Sequence, residues 1–139
     1  MNTKWGFRLG LFILTLSLLA ACKPLGGTEW TLVSLNGHEP IPKTTITISF
    51  TGEGIVGYGG CNHYGAAVEI KDDTLIFEEK SIASTEFYCV EPDGNVEQEK
   101  EFLLTLPTVV TYSRSSERLE MKNEDGEVIL IFQKGLPED

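Results

Sequence analysis

The chain has 139 residues, with 21 Asp and Glu against 11 Lys and Arg, for a net charge of −10. This length suits one domain built on one core. The acidic balance argues against nucleic-acid binding, which relies on Lys and Arg to neutralise phosphate, and gives no electrostatic help towards anionic lipid.

The first element is an export signal. Lys4 and Arg8 form a short basic start, and the twelve residues from Leu9 to Ala20 carry no charge. A spanning helix needs about 20 apolar residues, so this run reads as a signal, not a permanent membrane span. Leu19-Ala20-Ala21-Cys22 then has the form of a lipobox cleaved before Cys22. A plain secretory signal would leave Cys22 unexplained. The expectation is lipid attachment at Cys22, because two or more acyl chains hold a protein firmly to a bilayer. Lys23 follows, with no Asp in that place, which points to the periplasmic face of the outer membrane in an enterobacterial-type envelope. Cleavage leaves 118 residues and removes only Lys4 and Arg8 from the charged set, so the net charge moves from −10 to −12.

The mature chain divides into residues 22–28, the lipidated Cys with a short tether; 29–134, the folded domain; and 135–139, a flexible tail. Glu29–Leu35 predicts a strand with Trp30, Leu32 and Ser34 on one face, and Asn36-Gly37 a turn. Thr45–Phe50 alternates cleanly, with Ile46, Ile48 and Phe50 inward. Ile55–Tyr58 reads as its return strand. Gly59–Gly65 is too glycine-rich for a regular strand and lacks the Gly-Lys-Ser/Thr of a phosphate loop. Ala67–Ile70 and Thr74–Glu79 are strands, whereas Ile82–Cys89 reads equally as irregular strand or loop. Val96–Leu106 is the helix, with Asn95 as N-cap, Gln98 completing a capping box and Pro107 as the stop. Val109–Arg114, Leu119–Lys122 and Val128–Phe132 finish the domain, the last apolar enough to be central and buried on both sides. Short turns favour antiparallel neighbours. The fold class is therefore mainly β with one α-helix: a curved antiparallel sheet or incomplete β-barrel covered by a single helix.

With Cys22 assigned to lipid, Cys61 and Cys89 remain as a pair suited to a disulfide in an oxidising compartment. Closing a loop of about 29 residues would add roughly 3–4 kcal/mol. Two buried free thiols are one alternative. A metal site using Cys61, His63 and Cys89 is another, although Cys-x-His has no matching second half. Gly59, Gly60 and Asn62 are expected to shape a tight corner, with Asn62 bonding nearby backbone and tolerating left-handed geometry. Cys61 would tie that corner to Cys89, and Thr85 would satisfy loop backbone groups. His38 reads as a solvent-exposed loop residue and His63 as a turn residue. No catalytic residue, metal or cofactor is assigned.

The ordered set Trp30, Ile48-x-Phe50, Gly57–Tyr64 (GYGGCNHY), Thr85–Cys89 (TEFYC), Glu99 with Phe102, and Leu119 with Phe132 resembles the META/HslJ-like domain family over most of residues 26–134. Trp30, Gly57, Gly60, Asn62, Tyr64 and Thr85 match its structural motif. Phe87-Tyr88 stand where the family often has Met-Ala, and are expected to pack around Cys89. The resemblance implies an exported or lipid-anchored β domain associated with stress tolerance, without an established biochemical activity. The expected function is a non-enzymatic envelope module that binds a protein or small ligand; the alternative is an envelope enzyme with thiol-dependent or hydrolytic chemistry around Cys61, His63 and Cys89.

Overall fold

The computed structural model describes residues 24–137; the expected signal at 1–21 and the lipid-bearing Cys22 lie outside the described residues. The elements are β1 (Glu29–Leu35), β2 (Thr47–Phe50), β3 (Gly54–Tyr58), β4 (His63–Lys71), β5 (Thr74–Phe77), β6 (Ala83–Ser84), α1 (Asn95–Thr105), a 3-10 turn (Leu106–Thr108), β7 (Thr111–Arg114), β8 (Arg118–Lys122) and β9 (Val128–Lys134).

The strands pair in the order β3-β2-β1-β9-β8-β7-β5-β4, and β3 pairs β4 again, so eight of them close a barrel with β6 added outside β4. Each of these pairings is antiparallel, as the short turns predict. Closure goes further than an incomplete barrel. The thinnest joint is β5–β7, where one register pair, Thr74 with Thr111, is flanked by Leu75 N–H to Val110 O and Tyr112 N–H to Asp73 O.

Alternation fills the interior. Ile46, Ile48 and Phe50 are buried as predicted, and Trp30, Leu119, Met121, Leu130 and Phe132 have no exposed surface. Strand β9 is central, between β1 and β8, but it is not buried on both sides: Leu130 and Phe132 face the core while Val128 is 39% exposed. An apolar run in a closed barrel still has an outer face, so run composition overstates its burial. In β1 the register shifts between Leu32 and Ser34, so Leu35, not Ser34, follows Leu32 into the core. A bulge of this kind adds one residue and resets the alternation, which simple period two does not foresee.

The two barrel ends are closed differently. At the end where β1 finishes and β4 begins, α1 lies against the β1–β2 connection and the β3–β4 corner. Its buried positions are Asn95, Gln98, Glu99 and Phe102, followed by Leu106: a helical stripe whose first half is polar. The predicted helix is present, but the capping box is not. Gly94 is the N-cap, with no side-chain cap bond. Asn95 Nδ2 instead donates to Gly60 O, while Gln98 accepts from Ile41 N–H and donates to Thr44 Oγ1. Long-range partners took the side chains that local pairing would have used.

The other end is closed by the segment expected to be a tether. Leu25 is fully buried. Gly27 N–H donates to Phe50 O (2.8 Å), and Phe50 N–H donates to Thr28 O (2.9 Å). The buried Trp30 Nε1–H needs an acceptor; Thr28 Oγ1 provides it at 2.7 Å and donates in turn to Leu25 O. Arg114 Nη1 donates to Pro24 O, with its guanidinium 5.2 Å from the Trp30 ring centroid. Residues 24–28 are thus part of the fold. The expected tail is also held at its start, where Gly135 N–H donates to Glu29 O and Gly135 O accepts from Thr31 Oγ1.

Candidate functional site

The glycine-rich corner between β3 and β4 brings the motif residues together. Gly57 pairs with Tyr64 across the two strands, and Tyr64 OH donates to Thr47 O at 2.9 Å. A Cβ on Gly57 would run into Thr47 O and lie 2.8 Å from the Tyr64 hydroxyl. Gly60 sits at φ 107, a conformation glycine adopts without strain. Its missing Cβ leaves room for Asn95, whose Oδ1 would lie 2.7 Å away. The regular ladder resumes at His63, earlier than the glycine content predicts, because Gly65 pairs within β4 like any strand residue.

Asn62 is the centre of the site. Its N–H donates to Glu99 Oε1 at 2.9 Å and its Nδ2 to Glu99 Oε2 at 3.0 Å. Its Oδ1 accepts from Thr85 Oγ1 at 2.8 Å and from Phe87 N–H at 2.7 Å, and Nδ2 also donates to Phe87 O at 3.1 Å. Asn62 is not in the left-handed region. Its side-chain amide does not bond nearby backbone either: it reaches across to a loop 25 residues on, reading both polar groups of Phe87 as a neighbouring strand would. Thr85 satisfies this side chain through its hydroxyl, and its own N–H donates to His63 O.

Cys61 and Cys89 form a disulfide with Cα atoms 5.8 Å apart. This excludes both the free-thiol and the Cys61–His63–Cys89 metal readings for the bonded state, since neither sulfur is a thiolate. Among the described residues no group of three His, Cys, Asp or Glu is placed to hold a metal ion. His63 is exposed and lies against Tyr58, ring centroids 5.2 Å apart; His38 is exposed in the turn after β1. Trp30 belongs to the opposite barrel end and not to this corner.

Glu99 and Asn95 are the members that sequence reading leaves out of the site. The signal for them lay in the helix: stepping back from Phe102 by three, four and seven residues reaches Glu99, Gln98 and Asn95, all buried. A polar residue on a core-facing stripe requires a buried partner. Phe87 and Tyr88 reverse another expectation. They do not pack around Cys89: the side chains are 70% and 80% exposed, and Val90 beside them is 77% exposed.

Burial pushes the Tyr64 phenol well above its ordinary range. Its ring meets Phe102 edge-on, with centroids 5.4 Å apart, so β4 and α1 share one aromatic contact beneath the polar network.

Comparison with known proteins agrees with the fold. The family model described as META domain matches residues 23–135. A protein from Burkholderia xenovorans solved by NMR is similar with a TM-score of 0.61 at 22% identity, over 80% of this chain and 83% of that one. A DUF4847 family protein from Bacteroides vulgatus, solved by crystallography, is similar with a TM-score of 0.57 at 14% identity, over 82% of this chain and 96% of that one. At these identities the likeness concerns the fold. None of the curated proteins matches the sequence.

Proposed function

Because the chain belongs to the META domain family, we propose that it is a lipid-anchored envelope protein whose domain is a non-enzymatic binding module supporting stress tolerance. The observation that carries the binding reading is that the motif residues are spent on one another. Asn62 uses its amide on Glu99, Thr85 and Phe87, and both cysteines are bonded. A thiol nucleophile needs a free sulfur beside a base, and with both cysteines bonded this corner offers no free sulfur. The network instead fixes a loop that carries exposed aromatics.

The anchoring half of the proposal rests on Leu19-Ala20-Ala21-Cys22. With Pro24–Thr28 packed into one barrel end, an anchor at Cys22 would hold that end at the bilayer and direct the helix end, with its disulfide, away from it. Among the described residues no helix is long and apolar enough to cross a membrane.

Crosslinking in intact envelopes, compared with a Cys22→Ala form, tests both halves. The expected result is recovery of the protein in the membrane fraction with defined crosslinked partners, and loss of both on Cys22→Ala. Unchanged fractionation of Cys22→Ala would remove the anchor. A turnover that disappears with Cys61→Ser while stability is kept would replace the binding module with an enzyme.

A further inference from the structure

The loop that Asn62 holds combines two properties that do not ordinarily occur together. Its backbone is fixed by the Cys61–Cys89 disulfide, by the paired bonds from Asn62 to Phe87 and by Thr85 N–H to His63 O. Yet the side chains of Phe87, Tyr88 and Val90 stand 70%, 80% and 77% exposed. Where order serves a core, the apolar side chains it positions are buried; here they are displayed. Rigid aromatic side chains on a preordered loop are the economical form of an interface anchor, because little conformational entropy remains to be lost on binding.

Charge defines the occupant. From Ser81 to Glu99 the chain has no Lys or Arg, and Glu86, Glu91, Asp93 and Glu97 all belong to this stretch. Of these, Glu86, Glu91 and Asp93 flank the aromatic pair and are exposed. Such a rim repels an anionic lipid surface and a second copy of the same loop, and it attracts cations.

We propose that the Thr85–Asp93 loop is a docking site for a basic segment of another envelope protein, with apolar residues that seat against Phe87, Tyr88 and Val90 and Lys or Arg that meet Glu86, Glu91 and Asp93. This inference deepens the binding-module reading and rests on it. The probe is a short peptide alternating Lys with Leu. A counterpart with Glu for Lys and one with Ser for Leu serve as controls. Titration is followed by amide NMR on the protein purified as the cell produces it.

Shifts should concentrate at residues 85–93 with the Lys/Leu peptide. Affinity should fall at least tenfold in Phe87→Ser with Tyr88→Ser, and by a similar factor for each control peptide. Exposed side chains are changed and the backbone bonds are kept, so the variant should melt with the wild type, which separates lost docking from lost fold. Equal affinity in wild type and variant would overturn the proposal, as would shifts centred on another face such as Ile76. Shifts at Tyr88 produced by anionic micelles alone, or by raising the protein concentration alone, would assign the loop to lipid or to self-association and likewise overturn it. If envelope crosslinking captures partners while the loop fails these tests, the binding reading stands and only its location changes.

Discussion

Asn62 presents both its main-chain N–H and its side-chain amide to the two oxygens of a single carboxylate, that of Glu99, at 2.9 and 3.0 Å. The pair links the β3–β4 corner to the helix that closes the barrel, and Asn95 to Gly60 repeats the link one helical turn earlier. Because Asn62 and Glu99 are 8% and 5% exposed, water cannot readily replace a lost partner, and an unsatisfied buried group costs about 1–3 kcal/mol.

Asn62→Asp keeps the shape of the side chain but sets an acceptor where Glu99 and Phe87 O require a donor. Destabilisation of roughly 2–4 kcal/mol is expected, exceeding that of Glu99→Gln, which retains an acceptor oxygen. Urea unfolding midpoints rank the two. Equal losses would mean that the network's polarity does not matter.

Gly57→Ala should destabilise by about 3 kcal/mol or more, because the new methyl meets backbone, Thr47 O, and the Tyr64 hydroxyl at 2.8 Å, and overpacking against backbone has no side-chain escape. Gly52→Ala meets nothing within 4 Å and should be nearly neutral. Thermal melts of the two variants check the contrast.

How much of this was legible in the sequence depended on the range of the forces involved. The strand core of Thr47–Phe50 follows from alternation, since period two is local. The disulfide could be framed as a pairing because few cysteines remained, and the corner's membership could be read from Gly60, Cys61 and Asn62. The partners were not legible. Nothing near Asn62 in sequence names Glu99, 37 residues away. A capping box also competes on equal local terms with the long-range bonds that Asn95 and Gln98 actually make. The tether failed for the same reason: Pro, Gly and Gly read as linker, while Leu25 gains its burial from a barrel assembled by later strands.

Cys61→Ser and Cys89→Ser should each lower stability by about 3–4 kcal/mol, the loop-closure contribution for a separation of 28 residues. The double variant should add little, because either change opens the same bond. Purified protein lacking Cys22 should show no titratable thiol. Additive losses, or two reactive thiols, would contradict a structural disulfide.

Leu25→Ala distinguishes a packed segment from a linker. A fully buried leucine should cost about 2–5 kcal/mol when truncated, whereas a tether residue would cost nothing. Removal of residues 1–28 should destabilise further by leaving the Trp30 indole N–H without Thr28. Chemical denaturation of both forms measures the effect.

Tyr64 makes an alkaline prediction. Its phenol is raised above the ordinary value near 10 by burial, so the folded state holds a proton that the unfolded chain releases. This contribution is complete below pH about 10 and is lost as the pH rises beyond it towards the folded-state value. Tyr64→Phe loses the hydrogen bond to Thr47 O, costing about 1 kcal/mol at neutral pH, but it has no proton to lose. Unfolding midpoints taken from pH 8 to 11.5 (chosen to bracket the tyrosine range) should therefore converge and then cross as the solution becomes alkaline, the wild type falling more steeply by up to about 1.4 kcal/mol per pH unit. Curves that stay parallel would mean that ionisation of Tyr64 is not coupled to unfolding.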